Sequence, residues 1–397
     1  MQMPDKPELG GALSGSFASL SQEARVNELA SHLSDEAVEF AGGYVPIIDI
    51  GPYFTGDERE KQKLAGKIGA ACREIGFYII VGHGISPKLL DGLDRVSRAF
   101  FDLPIDEKMK LHIGKEPGAC GYSAMGDKSL AYTRGEKSPP DLNESFQTSK
   151  IDADFNDPYF QTSEANRLVP PSRWPDSLPE MKDVCALYYG QMGELARDLI
   201  RLSALALGLP ERFFDDKVDR HIGRLTLRLY PEQKVNPLPG QLRAGAHTDY
   251  GTVTILRPGD SIGGLQVADR QGRWHDVPTV PNSFVINQGD LMARWTNDRW
   301  ISTLHRVVNP PPETLGGSRR LSIVFFHHPN YDTLIECLPT CKDPTESAKY
   351  PAVTVAEYYA LKRQQQKGAG AAAGGSASGS ASTSGTAEGR VLPQTSR

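Results

Sequence analysis

A histidine and an aspartate stand two positions apart in the segment AGAHTDYGTVTIL, residues 244–256. Successive side chains of a β-strand point to opposite faces, so positions i and i+2 share one face. His247 and Asp249 could therefore present an imidazole and a carboxylate to the same point, an arrangement that metal sites use. The chain has nine histidines, and this is its only His-x-Asp or His-x-Glu sequence. A polar turn leading into the strand TVTIL is the alternative interpretation.

A third metal ligand is expected on another strand of the same β structure, and four histidines follow in the chain. His305 lies in STLHRVV, a strand pattern that needs no histidine for packing, although a half-buried structural histidine would also fit. His275 lies beside a Gly-Arg turn, which predicts a surface position. His327 and His328 are adjacent and face opposite ways, so one of them could line a pocket without binding metal.

Two histidines and one carboxylate, here His247, Asp249 and His305, form the facial triad of non-haem Fe(II) oxygenases. Such a triad holds the metal from one side and leaves its other positions open for O2 and a substrate. Zinc hydrolases use related ligand sets. The triad alone therefore leaves the reaction open.

Arg320 and Ser322 lie two positions apart in the strand pattern RRLSIVFF, so their side chains share a face. A guanidinium binds a carboxylate through two parallel hydrogen bonds, and a serine hydroxyl can add a third. An Arg-x-Ser on a solvated strand face is the ordinary alternative. One strand after His305, the pair predicts a dicarboxylate held between the metal and Arg320. Phe326 shares that face and is expected to approach the substrate.

The elements that must position these residues are mainly β-strands. Residues 58–75, 87–104 and 179–209 have helical patterns. From residue 221 onward, short β-rich segments alternate with Gly, Pro, Asn and Asp, which is typical of an antiparallel barrel or jelly roll. The predicted fold is mainly β with flanking helices, around a double-stranded β-helix (jelly roll) core.

The chain divides into five expected regions. These are a weakly ordered N-terminal arm (1–43, with one short helix around 21–40), an N-terminal α/β region (44–210) that includes a substrate-covering loop (about 112–171), the jelly-roll domain (211–345), a C-terminal helical segment (346–366) and a disordered Gly/Ala/Ser tail (367–397).

Composition excludes several classes of partner. The net charge of −5 and the lack of a Lys/Arg block argue against nucleic acid and acidic membranes. No apolar run reaches transmembrane length, and no Gly-rich phosphate loop follows a strand. The five cysteines are irregularly spaced and include no Cys-x-x-Cys pair, which indicates a reducing compartment and predicts a cytoplasmic protein.

Taken together, these segments resemble the Fe(II)/2-oxoglutarate-dependent dioxygenases of the isopenicillin N synthase-like family. The resemblance covers about residues 44–363 and includes VPIIDI, GFYIIVGHGI, AHTDYGTVTIL, GGLQV, NQGDLMARWTND, STLHRVV and RRLS. It implies that His247, Asp249 and His305 bind iron. It also implies that Arg320 and Ser322 bind the distal carboxylate of 2-oxoglutarate.

Two further positions follow from the resemblance. Tyr230 matches a tyrosine that helps to hold the same carboxylate. Many relatives have asparagine two residues before this tyrosine, but Arg228 stands here. The interval between His305 and Arg320 is longer than usual for the family, with PPPETLGGS as the extra segment.

The resemblance implies an oxygenase that uses Fe(II), 2-oxoglutarate and O2, with ascorbate as an activator. It would hydroxylate, desaturate or cyclise a small organic metabolite and release succinate and CO2. Tyr122 and Phe146, in the substrate-covering region, are expected to line the pocket together with Phe326. The oligomeric state stays open, and a monomer is compatible with the sequence.

Three alternatives remain at this point. The first is an iron oxidase of the same fold that needs no 2-oxoglutarate, of the isopenicillin N synthase or aminocyclopropane carboxylate oxidase type. The second is a jelly-roll zinc hydrolase, which would turn over without O2. The third is a binding protein without catalytic activity, in which an intact triad would be unnecessary.

Overall fold

The computed structural model describes residues 43–374, except for short gaps at 115–119, 128, 132–137, 235, 260–262, 312–316, 344 and 346. The expected helix around 21–40, nearly all of the expected N-terminal arm and the end of the tail lie outside the described residues.

Nine α-helices surround the β structure in the described part of the chain. They are α1 (Gly51–Thr55), α2 (Glu58–Glu74), α3 (Pro87–Phe101), α4 (Ile105–Met109), α5 (Ser163–Leu168), α6 (Glu180–Ala206), α7 (Asp215–Val218), α8 (Asp290–Trp295) and α9 (Val355–Gly374). The three helices expected from the sequence are present. A capping box of Asp57 and Glu60 starts α2, and a proline at its first position starts α3.

Fourteen strands are described. They are β1 (Ile47–Asp49), β2 (Phe77–Val81), β3 (Gly121–Ser123), β4 (Glu144–Gln147), β5 (Arg224–Tyr230), β6 (Ala244–His247), β7 (Val253–Arg257), β8 (Leu265–Ala268), β9 (Trp274–Asp276), β10 (Phe284–Gln288), β11 (His305–Val307), β12 (Arg320–His327), β13 (Leu334–Ile335) and β14 (Val353–Thr354).

Two sheets hold the strands that position the site. The major sheet has the order β1-β2-β10-β7-β12-β5-β4-β3, and the minor sheet has the order β6-β11-β8-β9. The pairings between β2, β10, β7, β12, β5, β4 and β3 are all antiparallel. Two such sheets with flanking helices agree with the predicted fold.

Successive side chains of β12 point alternately to the outer and the inner face of the major sheet, and the two faces have different environments. Leu321, Ile323 and Phe325 point to the outer face and join the large apolar core that the helices cover. Arg320 and Ser322 alternate with them and therefore point to the inner face. The long helix α6 packs on the outer side of this sheet. The helices thus stabilise the outer face, and the inner face is left for polar side chains.

The expected boundary at residue 211 does not divide the β structure. The N-terminal strands β1 and β2 extend one end of the major sheet, where β2 pairs with β10. The strands β3 and β4 extend its other end, where β4 pairs with β5. The segment 112–171, expected as a loop, therefore contains two strands and helix α5. The two strands have only three and four residues, which is too short to show a strand pattern in the sequence.

The C-terminal helix also differs from the expectation. Helix α9 ends at Gly374, whereas the sequence predicts a tail from residue 367. Alanine has the highest helix propensity of all residues, and the segment GAGAAAG supplies four alanines.

Candidate active site

The three expected metal ligands converge between the two sheets. His247 ends β6, His305 begins β11, and the two residues are register partners in the minor sheet. Asp249 follows two residues after the end of β6 rather than lying within the strand. The Oδ1 atom of Asp249 lies 3.8 Å from Nε2 of each histidine. One ligand atom from each of the three residues falls within 4.8 Å of the others.

Each imidazole is oriented by a carbonyl group two residues earlier in the chain. Nδ1 of His247 donates to the carbonyl oxygen of Gly245 at 2.7 Å, and Nδ1 of His305 donates to that of Thr303 at 3.1 Å. The Nδ1 protons leave both Nε2 lone pairs available to a metal. Burial and the neighbouring His305 lower the pKa of His247 to about 3, so its ring is neutral near pH 7.

The carboxylate of Asp249 is held through its other oxygen. Oδ2 accepts hydrogen bonds from Oγ1 of Thr254 at 2.7 Å and from Nδ2 of Asn287 at 2.8 Å. Burial opposes ionisation, but the two imidazoles and these two hydrogen bonds outweigh it and lower the pKa of Asp249. Thr254 and Asn287 are register partners on β7 and β10. The major sheet thus aims Oδ1 of Asp249 at the two histidines.

Replacing Asn287 with alanine is expected to weaken metal binding about 10- to 100-fold, because residues that orient a metal ligand contribute to affinity on that scale. Calorimetric titration with Mn(II) measures this change without turnover. Asn166→Ala is the control, since the side-chain amide of Asn166 donates to the carbonyl oxygen of Gln161 at the surface. Equal Mn(II) affinity in the Asn287→Ala protein and the wild type would show that this hydrogen bond does not orient Asp249.

Arg320 lies on the inner face with an incomplete set of partners. It is 3% exposed, and its Nη1 donates to the carbonyl oxygen of Gly263 at 2.9 Å. Its guanidinium carbon lies 5.4 Å from the centre of the Tyr230 ring. Among the residues that the structure describes, no carboxylate lies within 4.0 Å of Arg320. Burial lowers its pKa, as expected for a cation removed from water.

Ser322 is the neighbour of Arg320 on the same face, and in the described part of the chain its buried Oγ has no hydrogen-bond partner. Buried hydroxyl groups normally have partners. A buried cation and an unpartnered hydroxyl side by side are the donors that a carboxylate accepts from. The structure therefore brings together Arg320, Ser322 and Tyr230 in a set that fits one carboxylate.

The expected substrate residues separate into two groups. Tyr122 and Phe146 are register partners on β3 and β4, and both lie in the helix-covered core, where Phe146 contacts Phe100 of α3. They point away from the inner face, so their expected pocket role is corrected to packing. The register between β4 and β5 decides this, because Phe146 pairs with the core residue Leu227. Phe326 does lie on the inner face and is half-buried.

The other three histidines considered as ligands have different roles. His275 stacks on Tyr44 and bonds to Asp269 at the surface. His327 bonds to Oγ1 of Thr252, and His328 bonds to the hydroxyl group of Tyr359 on α9. These three histidines therefore have partners outside the cluster of His247, Asp249 and His305.

Sequence reasoning missed the two residues that orient Asp249. Asn287 follows three apolar residues in the buried strand FVINQ. A polar side chain inside an apolar strand is a usable signal, because buried amides need partners. Thr254 carries no such signal, since threonine is common in strands.

Two family models match the chain. One is described as non-haem dioxygenase in morphine synthesis N-terminal and matches residues 45–177. The other is described as 2OG-Fe(II) oxygenase superfamily and matches residues 221–329.

Curated proteins and solved structures are similar over most of the chain. A 2-oxoglutarate-Fe(II) type oxidoreductase of Emericella nidulans is 34% identical over 333 residues, which are 82% of this chain and 91% of the relative. Validamycin A dioxygenase of Streptomyces hygroscopicus subsp. limoneus is 30% identical over 329 residues, 81% of this chain and 87% of the relative. A Neurospora crassa protein, solved in complex with alpha-KG and thymine, matches with a TM-score of 0.71 and 30% identity, covering 84% of this chain and 100% of that one.

The chain belongs to the 2OG-Fe(II) oxygenase superfamily. It is an oxidoreductase that depends on Fe(II) and 2-oxoglutarate, and its fold is the expected mainly β fold with a jelly-roll core. The relatives do not favour the oxidase that works without 2-oxoglutarate, and family membership disfavours a zinc hydrolase or a non-catalytic binding protein. No helix in the described part of the chain combines the length and apolar character that a membrane span requires.

Proposed function

We propose that Nε2 of His247, Nε2 of His305 and Oδ1 of Asp249 bind Fe(II), and that Arg320, Ser322 and Tyr230 bind 2-oxoglutarate through its distal carboxylate. The observation that carries this assignment is the cluster of three ligand atoms within 4.8 Å, on the inner side of the sheet that holds Arg320. Two imidazole nitrogens and one carboxylate oxygen suit a divalent metal.

When bound, Fe(II) with 2-oxoglutarate and O2 supplies the oxidising power that hydroxylates a C–H bond, with release of succinate and CO2. The protein contributes positioning. Arg320 and Ser322 fix one end of the cosubstrate, and the triad fixes the metal at the other end. Phe326 lies on the same face as Arg320 and Ser322 and is proposed to contact the substrate. Orienting the reactants in this way lowers the entropic part of the barrier.

The proposed substrate is a small organic metabolite, which the enzyme hydroxylates, desaturates or cyclises. Two relatives support a small substrate by name, since one is a validamycin A dioxygenase and the other was solved with thymine. Activation by ascorbate and a cytoplasmic location are parts of the same proposal.

A metabolite screen with Fe(II), ascorbate and 2-oxoglutarate tests this function. Succinate formation above the level without added metabolite is expected for at least one small organic compound, and it should require O2. The single variant Asp249→Ala serves as the background control. Turnover without O2, or turnover that consumes no 2-oxoglutarate, would contradict the proposal.

A further inference from the structure

Arg228 is a second arginine on the inner face of the major sheet, and the proposed iron and cosubstrate site does not use it. It lies in the middle of β5, with Ser322 of β12 opposite on one side and Ser145 of β4 opposite on the other. Its side chain is half-buried, and its buried Nε has no hydrogen-bond partner among the described residues. Within the described ranges, no carboxylate lies within 4.0 Å of its guanidinium.

The acidic group that Arg228 influences already has other partners. Asp141, in the segment before β4, accepts hydrogen bonds from the backbone N–H groups of Leu130 and Gly245, both at 2.9 Å. Burial raises the pKa of Asp141, and Arg228 opposes this rise without forming an ion pair. The same guanidinium contributes to the low pKa of His247, after the larger effects of burial and His305. Because Arg228 pairs with Ser322 of β12, it lies on the inner face beside the proposed cosubstrate site.

The formal charges of the proposed iron and cosubstrate site balance without Arg228. The two positive charges of Fe(II) and the single positive charge of Arg320 balance the negative charges of Asp249 and of the two carboxylates of 2-oxoglutarate. Arg228 adds a positive charge that this set does not neutralise. An unpaired cation in a partly desolvated site is costly, and an anionic ligand removes that cost.

Two further polar residues of β5 share the inner face with Arg228, and the three together form a polar wall. Thr226, two residues before Arg228, has a buried Oγ1 to which no described residue forms a hydrogen bond. Arg224, two residues earlier again, lies opposite Phe326 and donates to the carbonyl oxygen of Leu168 at 2.8 Å. This wall therefore combines hydrogen-bond donors with one aromatic ring.

A surface cavity lies beside Leu168, whose carbonyl group accepts from Arg224. Leu168 also lines a cavity of about 250 Å³ between α5 and α9, together with Arg167 and Arg363. Glu164 is the one acidic residue in its lining. Arg167 pairs with Glu164 at 3.4 Å, so Arg363 gives this lining its net positive charge. Such a local field attracts anions.

We propose that Arg228, with Thr226 beside it, binds a carboxylate of the primary substrate, which makes the substrate class a small organic acid. This inference rests on the proposed function, because it places the acid beside the iron and cosubstrate. One edge of a guanidinium, Nε with one Nη, binds a carboxylate through two hydrogen bonds. The substrate's acid group would lie at β5, and its remaining part would extend toward the metal and Phe326.

Binding measurements on the full chain loaded with Mn(II) and 2-oxoglutarate test this inference without turnover. The probes are a panel of aromatic and aliphatic monocarboxylic acids, beginning with benzoate, and the primary amide of each acid. At least one acid is expected to bind about ten times more tightly than its amide, or better still. A tenfold difference is about one unit in log Kd. Arg228→Met should reduce this preference to less than about threefold, and Arg228→Lys should keep part of it because it retains the charge without the planar geometry.

Arg319→Met is the matched control, because Arg319 is an arginine of the neighbouring segment that pairs with Asp102 at the surface. It should keep the full preference for acids. Thermal unfolding of each variant confirms that the comparison is made on folded protein.

The outcomes separate the two proposals. Failure of the wild-type Mn(II) protein to bind 2-oxoglutarate would overturn the proposed function itself. Normal 2-oxoglutarate binding with no preference for any acid over its amide would overturn the substrate class alone. A loss of 2-oxoglutarate affinity in Arg228→Met as large as that in Arg320→Ala would make Arg228 a cosubstrate residue, and the inference would be wrong.

Discussion

Replacing His305 with alanine is expected to abolish turnover while the protein stays folded. The side chain supplies one of three ligand atoms, and it is not part of the large apolar core. A catalytic metal contributes several kcal/mol of transition-state stabilisation, and each 1.4 kcal/mol corresponds to about a tenfold change in rate, so we expect a loss of at least about a thousandfold. Succinate formation measures activity, and far-ultraviolet circular dichroism measures folding.

His275→Ala is the control for this prediction. His275 is also a histidine of the minor sheet, but it bonds to Asp269 at the surface rather than to the metal cluster. Its removal should leave activity nearly unchanged. Full activity in His305→Ala, or inactivity in a folded His275→Ala protein, would show that the ligand set has been assigned wrongly.

Replacing Arg320 with alanine is expected to raise the apparent KM for 2-oxoglutarate by two to three orders of magnitude. The substitution leaves the distal carboxylate buried without its cation, and breaking a buried ion pair costs about 3–5 kcal/mol. That cost converts to about 10²- to 10³-fold in affinity at about 1.4 kcal/mol for each factor of ten. The measurement is succinate formation as a function of 2-oxoglutarate concentration.

Two further variants sharpen the test of Arg320. Arg320→Lys should give an intermediate KM, because an ammonium group keeps the charge but loses the paired hydrogen bonds. Arg319→Ala should leave KM unchanged, since Arg319 pairs with Asp102 at the surface. If Arg319→Ala proved damaging and Arg320→Ala silent, the register of β12 would be wrong. If neither changed KM, 2-oxoglutarate would not bind at this strand.

The parts of the site that local alternation determines could be predicted from the sequence. The spacing of Arg320, Ser322 and Phe326 places them on one face of any strand, whatever that strand pairs with. The same rule brought His247 and Asp249 together, although β6 ends before Asp249. Among residues far apart in the chain, the strand pattern STLHRVV favoured His305, and the family resemblance then implied that it is the third ligand.

The parts that depend on long-range pairing could not be predicted in this way. Phe146 faces the helices because of the register in which β4 pairs with β5, about eighty positions later in the chain. In a strand, each shift of the register by one residue exchanges the two faces. A shift by one residue would have turned Phe146 and Tyr122 toward the substrate. The hydrogen bond from Asn287 to Asp249 likewise exists only because β10 pairs with β7.

The position of β12 between β7 and β5 also bears on how the chain is made. Both neighbours are synthesised long before Arg320–His327, and each would have an unpaired edge until β12 leaves the ribosome. Unpaired strand edges recruit other strands and promote aggregation. Because β12 also carries Arg320, a nascent chain that lacks this strand has neither a closed sheet nor a cosubstrate site. Folding of the catalytic body and acquisition of its chemistry are therefore a single late event in biosynthesis.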